Sequence, residues 1–164
     1  MSNYVVITTF IAFFSLIVSI ISIVFTRDAS KKQQEHNINS VKPICNIRTY
    51  DYEYDISVHI FNYGNGPLII NKLECFLRNE NPSDVLIKLM PPEINEWTDF
   101  AEDITGWSIP VNGKFTLIQT KTNDKNIKKQ IRDVLKHITI KVQFKDIYGN
   151  IDNEKRKLDF YGRH

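Results

Sequence analysis

Charge is missing where it would normally appear first: from Met1 to Thr26 not one side chain is charged. That excludes an ordinary amphipathic surface helix, which needs a polar face. Cysteine is scarce as well. Cys45 and Cys75 are the only two, too few for a disulfide framework, and both are expected to be small core residues on strands. With 6 Gly and 6 Pro in 164 residues, no low-complexity or fibrous class fits. No sign of charge dominates either. Lys and Arg number 21 against 19 Asp and Glu, so a nucleic-acid partner is not expected. Catalytic signatures are absent too: no H-E-x-x-H, no G-x-x-x-x-G-K-[ST], no G-x-S-x-G and no C-x-x-C occurs. His36, His59, His137 and His164 are scattered singly, with His59 on the outward phase of a strand. The chain reads as non-enzymatic, with no metal or cofactor.

What is present begins with an apolar run of 22 residues, Tyr4 to Phe25. As a helix it reaches about 33 Å, enough for a hydrocarbon core of about 30 Å. A cleaved signal would want a basic start, a shorter apolar core and a small-x-small site. MSN has no basic residue and no A-x-A follows, so residues 1–27 are expected to be a retained transmembrane helix. Arg27, Lys31 and Lys32 lie just after the span against Asp28 alone. The positive-inside rule then puts the N-terminus outside and the rest in the cytoplasm, at a bacterial inner membrane. The two cysteines, and the lack of an N-x-[ST] acceptor other than Asn81 followed by proline, agree with a reducing compartment.

Thr8, Ala12, Ser15, Ser19, Ser22, Thr26 and Ala29 recur at spacings of four and three. That is a heptad seam made of small residues, while the other faces carry Ile, Val, Leu and Phe. In a bilayer, helices associate by close backbone approach and inter-helix hydrogen bonds, and a 3.5-residue repeat gives a left-handed crossing. One span has no intramolecular helix to meet, so the seam predicts a homo-oligomer or docking to a partner's transmembrane helix. The alternatives are hydroxyls bonded to their own i−4 carbonyls and facing lipid, or a polar stripe lining a narrow pore.

Residues 28–41 are polar and read as a helical extension fraying into a linker. Residues 42–164 are of a size for one domain, and its pattern is mainly β. Ile138, Ile140, Val142 and Phe144 alternate with Thr139, Lys141 and Gln143, and Ile56, Val58 and Ile60 alternate likewise. Further strands are expected at Pro43–Tyr50, Leu68–Leu77, Val85–Leu89, Lys114–Thr120 and Lys155–Phe160. Turns fall at Asn62–Pro67, Asn79–Pro82, Pro110–Gly113 and Tyr148–Asn150. One helix, capped by Asn123 or Asp124 and ending near His137, buries Ile127, Ile131 and Val134 or Leu135. Short strands with regular turns and one small helix predict an immunoglobulin-like β-sandwich, with a small β-barrel as the alternative. The glycines of the Asn62–Pro67 turn are assigned to a hairpin needing positive φ, rather than to a phosphate nest.

His59-Ile60-Phe61-Asn62-Tyr63-Gly64-Asn65-Gly66-Pro67 resembles the strand, N-x-G-x-G-P, strand passage of bacterial single-span membrane proteins that carry a small β-sandwich behind an N-terminal anchor. Phe144-Lys145-Asp146-Ile147-Tyr148-Gly149-Asn150 is similar to the aromatic-x-D-x-x-G turn of their closing hairpin. The resemblance spans Pro43 to Phe160 and implies a fold and a membrane address, without any chemistry.

Two candidate surfaces remain. An acidic loop with Glu93, Glu96, Asp99, Glu102 and Asp103 also holds Trp97, Phe100 and Trp107, aromatics suited to anchoring a partner protein or a small signalling ligand; the alternative has both tryptophans capping the open end of the sandwich. Lys125, Lys128, Lys129, Arg132 and Lys136 form a basic stripe on the helix, a candidate contact for lipid headgroups or an ordinary solvated face. The expected function is a membrane-anchored binding or sensing module that self-associates through its helix. By analogy of architecture it would be a membrane-perturbing effector of anti-phage defence. A passive scaffold tethering a soluble partner is the alternative.

Overall fold

The computed structural model describes residues 2–78 and 81–163. Half of the expected Asn79–Pro82 turn, and His164, lie outside them. Contacts divide the chain into two units, Met1–Ser40 and Val41–His164.

The first unit is one helix, α1, Ser2–Ser40. Its membrane-length window has no buried residue, and it is long and apolar enough to cross a bilayer. The polar stretch after residue 27 was expected to fray, yet it is helical to Ser40. It contains neither Gly nor Pro to break it, and Gln33 Nε2 donates to Asn37 Oδ1 at 3.0 Å one turn on.

The second unit contains β1 (Cys45–Asp51), β2 (Ile56–Asn62), β3 (Leu68–Leu77), β4 (Trp97–Phe100), β5 (Ser108–Ile109), β6 (Lys114–Thr120), α2 (Lys125–Leu135), β7 (Ile138–Lys145) and β8 (Ile151–Lys157). They form two four-stranded sheets of order β1-β2-β6-β4 and β5-β3-β7-β8, with every pairing antiparallel. Among the described residues no ladder joins one sheet to the other, so the closed-barrel alternative is corrected. Ile47, Val58 and Ile60 from the first sheet join Ile70, Cys75, Ile140 and Val142 from the second in one core. The two layers face each other across it.

Val85–Leu89 is not a strand. It is a 3-10 helix, Leu86–Leu89, in a segment hemmed by Pro82, Pro91 and Pro92. One turn there buries Leu86 and leaves Ile87 and Leu89 half-buried against the core, whereas the neighbouring backbone offers only an isolated bridge, Cys75 with Ser83. The last expected strand, Lys155–Phe160, lies earlier, as β8. The chain then turns at Leu158 into a 3-10 helix, Asp159–Arg163, which seats Tyr161 in the core. Asp124 caps α2, accepting from the Asn126 and Ile127 amides at 2.7 and 3.3 Å, and Ile131 and Leu135 are fully buried.

Candidate functional site

Every seam hydroxyl of α1 turns back on its own helix. Thr8, Ser15, Ser19, Ser22 and Thr26 donate to the carbonyls of Tyr4, Ile11, Ser15, Val18 and Ser22 at 2.8 to 3.0 Å. The hydroxyl protons are thus used internally. Contact along Thr8, Ala12, Ser15, Ser19, Ser22 and Thr26 would then rest on small size and close backbone approach, with hydroxyl oxygens as acceptors.

The acidic loop holds two strands that the sequence pattern concealed, β4 and β5. It brings two of its three aromatics together. Phe100 and Trp107 are 47% and 56% exposed and line a cavity of about 550 Å³ with Asp99, Glu102, Asp103 and Lys114. Trp107 stands edge-on to Phe115 with centroids 5.3 Å apart. Trp97 goes elsewhere: it is half-buried against the core, and its Nε1 donates to the Ile94 carbonyl at 2.8 Å. Buried Ile104 roots the loop, and Gly106 turns it with φ +82°, a conformation suited to glycine.

The basic stripe divides into two kinds of residue. Lys128 does not face outward: it is 5% exposed, and its ammonium donates to the carbonyls of Tyr52 and Glu53. Burial, then the neighbouring Arg132 charge, holds that ammonium below the usual lysine value. Arg132 grips Asp51 with two bonds of 2.8 Å from Nε and Nη2, and the Asp51 side chain is wholly buried. These bonds hold α2 to the β1–β2 loop, so Lys128 and Arg132 are fixed in place rather than standing free on the outer face of the helix. Lys136 pairs with Asp133 at 2.6 Å. Lys125 and Lys129 are exposed and make no salt bridge among the described residues. With Glu53, Tyr54, Asn123 and Asp133, the two lysines, Lys128 and Arg132 border a cavity of about 510 Å³.

The Asn62–Pro67 turn is a packing hub. It passes from one sheet to the other, so it is not a hairpin. Asn62 is wholly buried; its Nδ2 donates to Gly66 O, Ile109 O and Pro110 O at 2.8, 3.0 and 3.2 Å. Its Oδ1 accepts from the amides of Gly64 and Ile44 at 3.0 and 3.3 Å. Positive φ is not why glycine is needed here, since Gly106 and Gly149 are the glycines in that region among the described residues. A Cβ on Gly64 would stand 2.3 Å from Lys42 O, and one on Gly66 1.8 Å from Val41 O. Close passage of residues 41–44 requires both glycines. The amides of Tyr63 and Asn65 donate to Ile44 O and Lys42 O, so the turn offers no anion nest.

Sequence reasoning missed an aromatic row on the outer face of the first sheet. Tyr52, Tyr50, His59, Phe61 and Tyr63 touch in series, with centroids 5.4 to 6.1 Å apart. The Arg48 guanidinium lies 4.9 Å above the Tyr63 ring. The signal was there: Arg48, Tyr50 and Tyr52 alternate along β1 and the residue just past it, as His59, Phe61 and Tyr63 do along β2 and the residue just past it. His59 was expected on a solvated face, but Tyr50 and Phe61 flank it and it is 3% exposed. Its Nδ1 and the Ser57 Oγ have no hydrogen-bond partner among the described residues. Burial, then Lys114, pushes the imidazole below its ordinary pKa, against Asp55 and Asp99. Cys45 and Cys75 are buried thiols, pushed up to about 12 chiefly by burial, and hence held in the unreactive protonated form. Among the described residues no group of three His, Cys, Asp or Glu is placed to hold a metal ion. Compared with family models, curated proteins and solved structures, the chain matches none.

Proposed function

We propose that this protein is a membrane-anchored, non-enzymatic binding module. In this reading α1 fixes it in a bacterial inner membrane and associates through the small-residue seam with a second copy or a partner's helix. The positive flank Arg27, Lys31 and Lys32 orients the second unit into the cytoplasm. The two sheets are read as an immunoglobulin-type sandwich that binds a protein or a small signalling ligand. One observation carries the proposal: an unbroken helix of 39 residues, its membrane-length window without a buried residue, precedes a unit with its own complete core. A membrane-perturbing effector of anti-phage defence is the most specific form, by architectural analogy.

Light scattering on the detergent-solubilised full chain tests this. A defined oligomer is expected for the wild type, and a monomer for Ser15→Leu/Ser19→Leu, because two leucines on the seam keep the backbones apart. A monomer in both cases removes self-association and leaves the span as a tether, which is the passive-scaffold alternative.

A further inference from the structure

The cavity of about 510 Å³ between α2 and the β1–β2 loop is the most strongly charged concavity described, and its cations differ in kind. Lys128 and Arg132 form a fixed floor. The first is buried and bound to two carbonyls, the second bidentate on Asp51. Two donors of a three-donor ammonium are thus used, and the Nη1 group of Arg132 makes no hydrogen bond among the described residues. Lys125 and Lys129, one helical turn apart, stand above them exposed, without a salt bridge among the described residues. Glu53 and Asp133 are the acids that line the cavity, the latter already paired with Lys136 at 2.6 Å. Buried Asp51 beneath the floor balances Arg132, which leaves the exposed Lys125 and Lys129 as the cations open to a ligand. A fixed floor of donors with two exposed ammonium groups at the rim favours an oxyanion. Tyr54, 56% exposed at the same rim, offers a ring face for a planar group. The Asn123 amide offers both a donor and an acceptor. The volume suits one small molecule.

We infer that this cavity binds a phosphate-bearing ligand, and that its ring-bearing form, a nucleoside phosphate, is the preferred one. The inference rests on the reading of the β-unit as a binding module. A lipid phosphate headgroup shares the oxyanion but brings no ring for Tyr54.

The full chain in phosphatidylcholine nanodiscs would be titrated calorimetrically with ATP, inorganic phosphate and adenosine. ATP is expected to bind more tightly than phosphate, and adenosine not measurably. Lys125→Glu/Lys129→Glu should weaken ATP by about tenfold or more, whereas Lys155→Glu/Lys157→Glu on β8, the same change of charge elsewhere, should leave it within about twofold. Tyr54→Ala should weaken ATP and spare phosphate. Lysine-dependent binding of phosphatidic-acid vesicles without ATP binding would keep the phosphate and overturn the nucleoside. No binding of any probe, or binding indifferent to the lysine pair, overturns the inference. Light scattering on the same samples separates the two proposals, since a monomer that still binds ATP fails only the self-association.

Discussion

His59 carries a buried imidazole among rings, with Nδ1 unpartnered and Lys114 near enough to oppose a positive charge. Its pKa in the folded chain lies below the ordinary value of about 6.5 that the unfolded chain keeps. As pH falls through that ordinary value, the unfolded state takes up the proton first, so stability is complete above it and is lost as pH falls toward the folded pKa. Urea unfolding followed by tryptophan fluorescence reads the β-unit alone, because Trp97 and Trp107 both lie there. Between pH 7.5 and 5.5 the wild type is expected to lose more stability than His59→Phe. At pH 7.5 the variant should lie within about 1 kcal/mol of the wild type, since the ring space is kept and the orphaned Nδ1 is gone. Equal pH slopes would refute the assignment. Asp146 is shifted in the same direction: burial raises its pKa, but bonds from Asn150, Tyr148 and Gly149 prevail and hold it low. Its carboxylate takes the Tyr148 amide at 2.8 Å and the Asn150 amide at 2.9 Å. That explains the aspartate in the aromatic-x-D-x-x-G passage.

At the scale of elements, α2 is held by charge as well as by Ile131 and Leu135. Arg132→Met would remove both 2.8 Å bonds to the buried Asp51 carboxylate, from which Lys128 stands 4.0 Å away. Removing one partner of a buried pair costs about 3 kcal/mol; Asp51→Leu/Arg132→Met should recover most of it, and the difference in urea midpoint between single and double variants measures the coupling. A double variant no more stable than the single one would mean that the pair is not what holds the helix. Lys128 was read as part of the outer basic stripe on account of its charge, although 128, 131 and 135 share one face of a helix and the side chain is buried. β3 and β6 were legible to the residue, since each is an apolar, β-branched stretch bounded by turn chemistry at Asn62–Pro67 and Pro110–Gly113. β8 was not. IDNEKRK has no apolar alternation, because an edge strand needs only backbone pairing on one side, and charge there blunts further pairing. β4 and β5 were hidden in an acidic stretch for a related reason: their partners, β6 and β3, supply the apolar face. The aromatic row needed the register that sets Tyr50 opposite Ser57 and Arg48 opposite His59, which no single strand reveals. The two cavities needed tertiary structure outright.

At the scale of the whole molecule, four residues that precede β1 matter to the second unit. Val41 to Ile44 belong to the second unit and lie across the Gly64–Gly66 turn, close enough that no Cβ fits at either glycine. Ile44 gives its amide to Asn62 and its carbonyl to Tyr63, and Lys42 accepts from Asn65. The β-unit's first structural contact therefore comes before its first strand. Removing residues 1–40 takes away a helix that contributes nothing to the core cluster, so the remaining 41–164 should fold with an unchanged urea midpoint. Removing residues 1–44 takes away three backbone-linked hydrogen bonds and uncovers buried Asn62. At about 1 kcal/mol for each bond, the loss should be about 3 kcal/mol, a large part of the 5–15 kcal/mol that holds a domain of this size. Equal midpoints for the two truncations would show that residues 41–44 only pass over the turn. A midpoint that falls only for the shorter chain would make them the clamp that holds the β2–β3 and β5–β6 turns together, because Asn62 binds both.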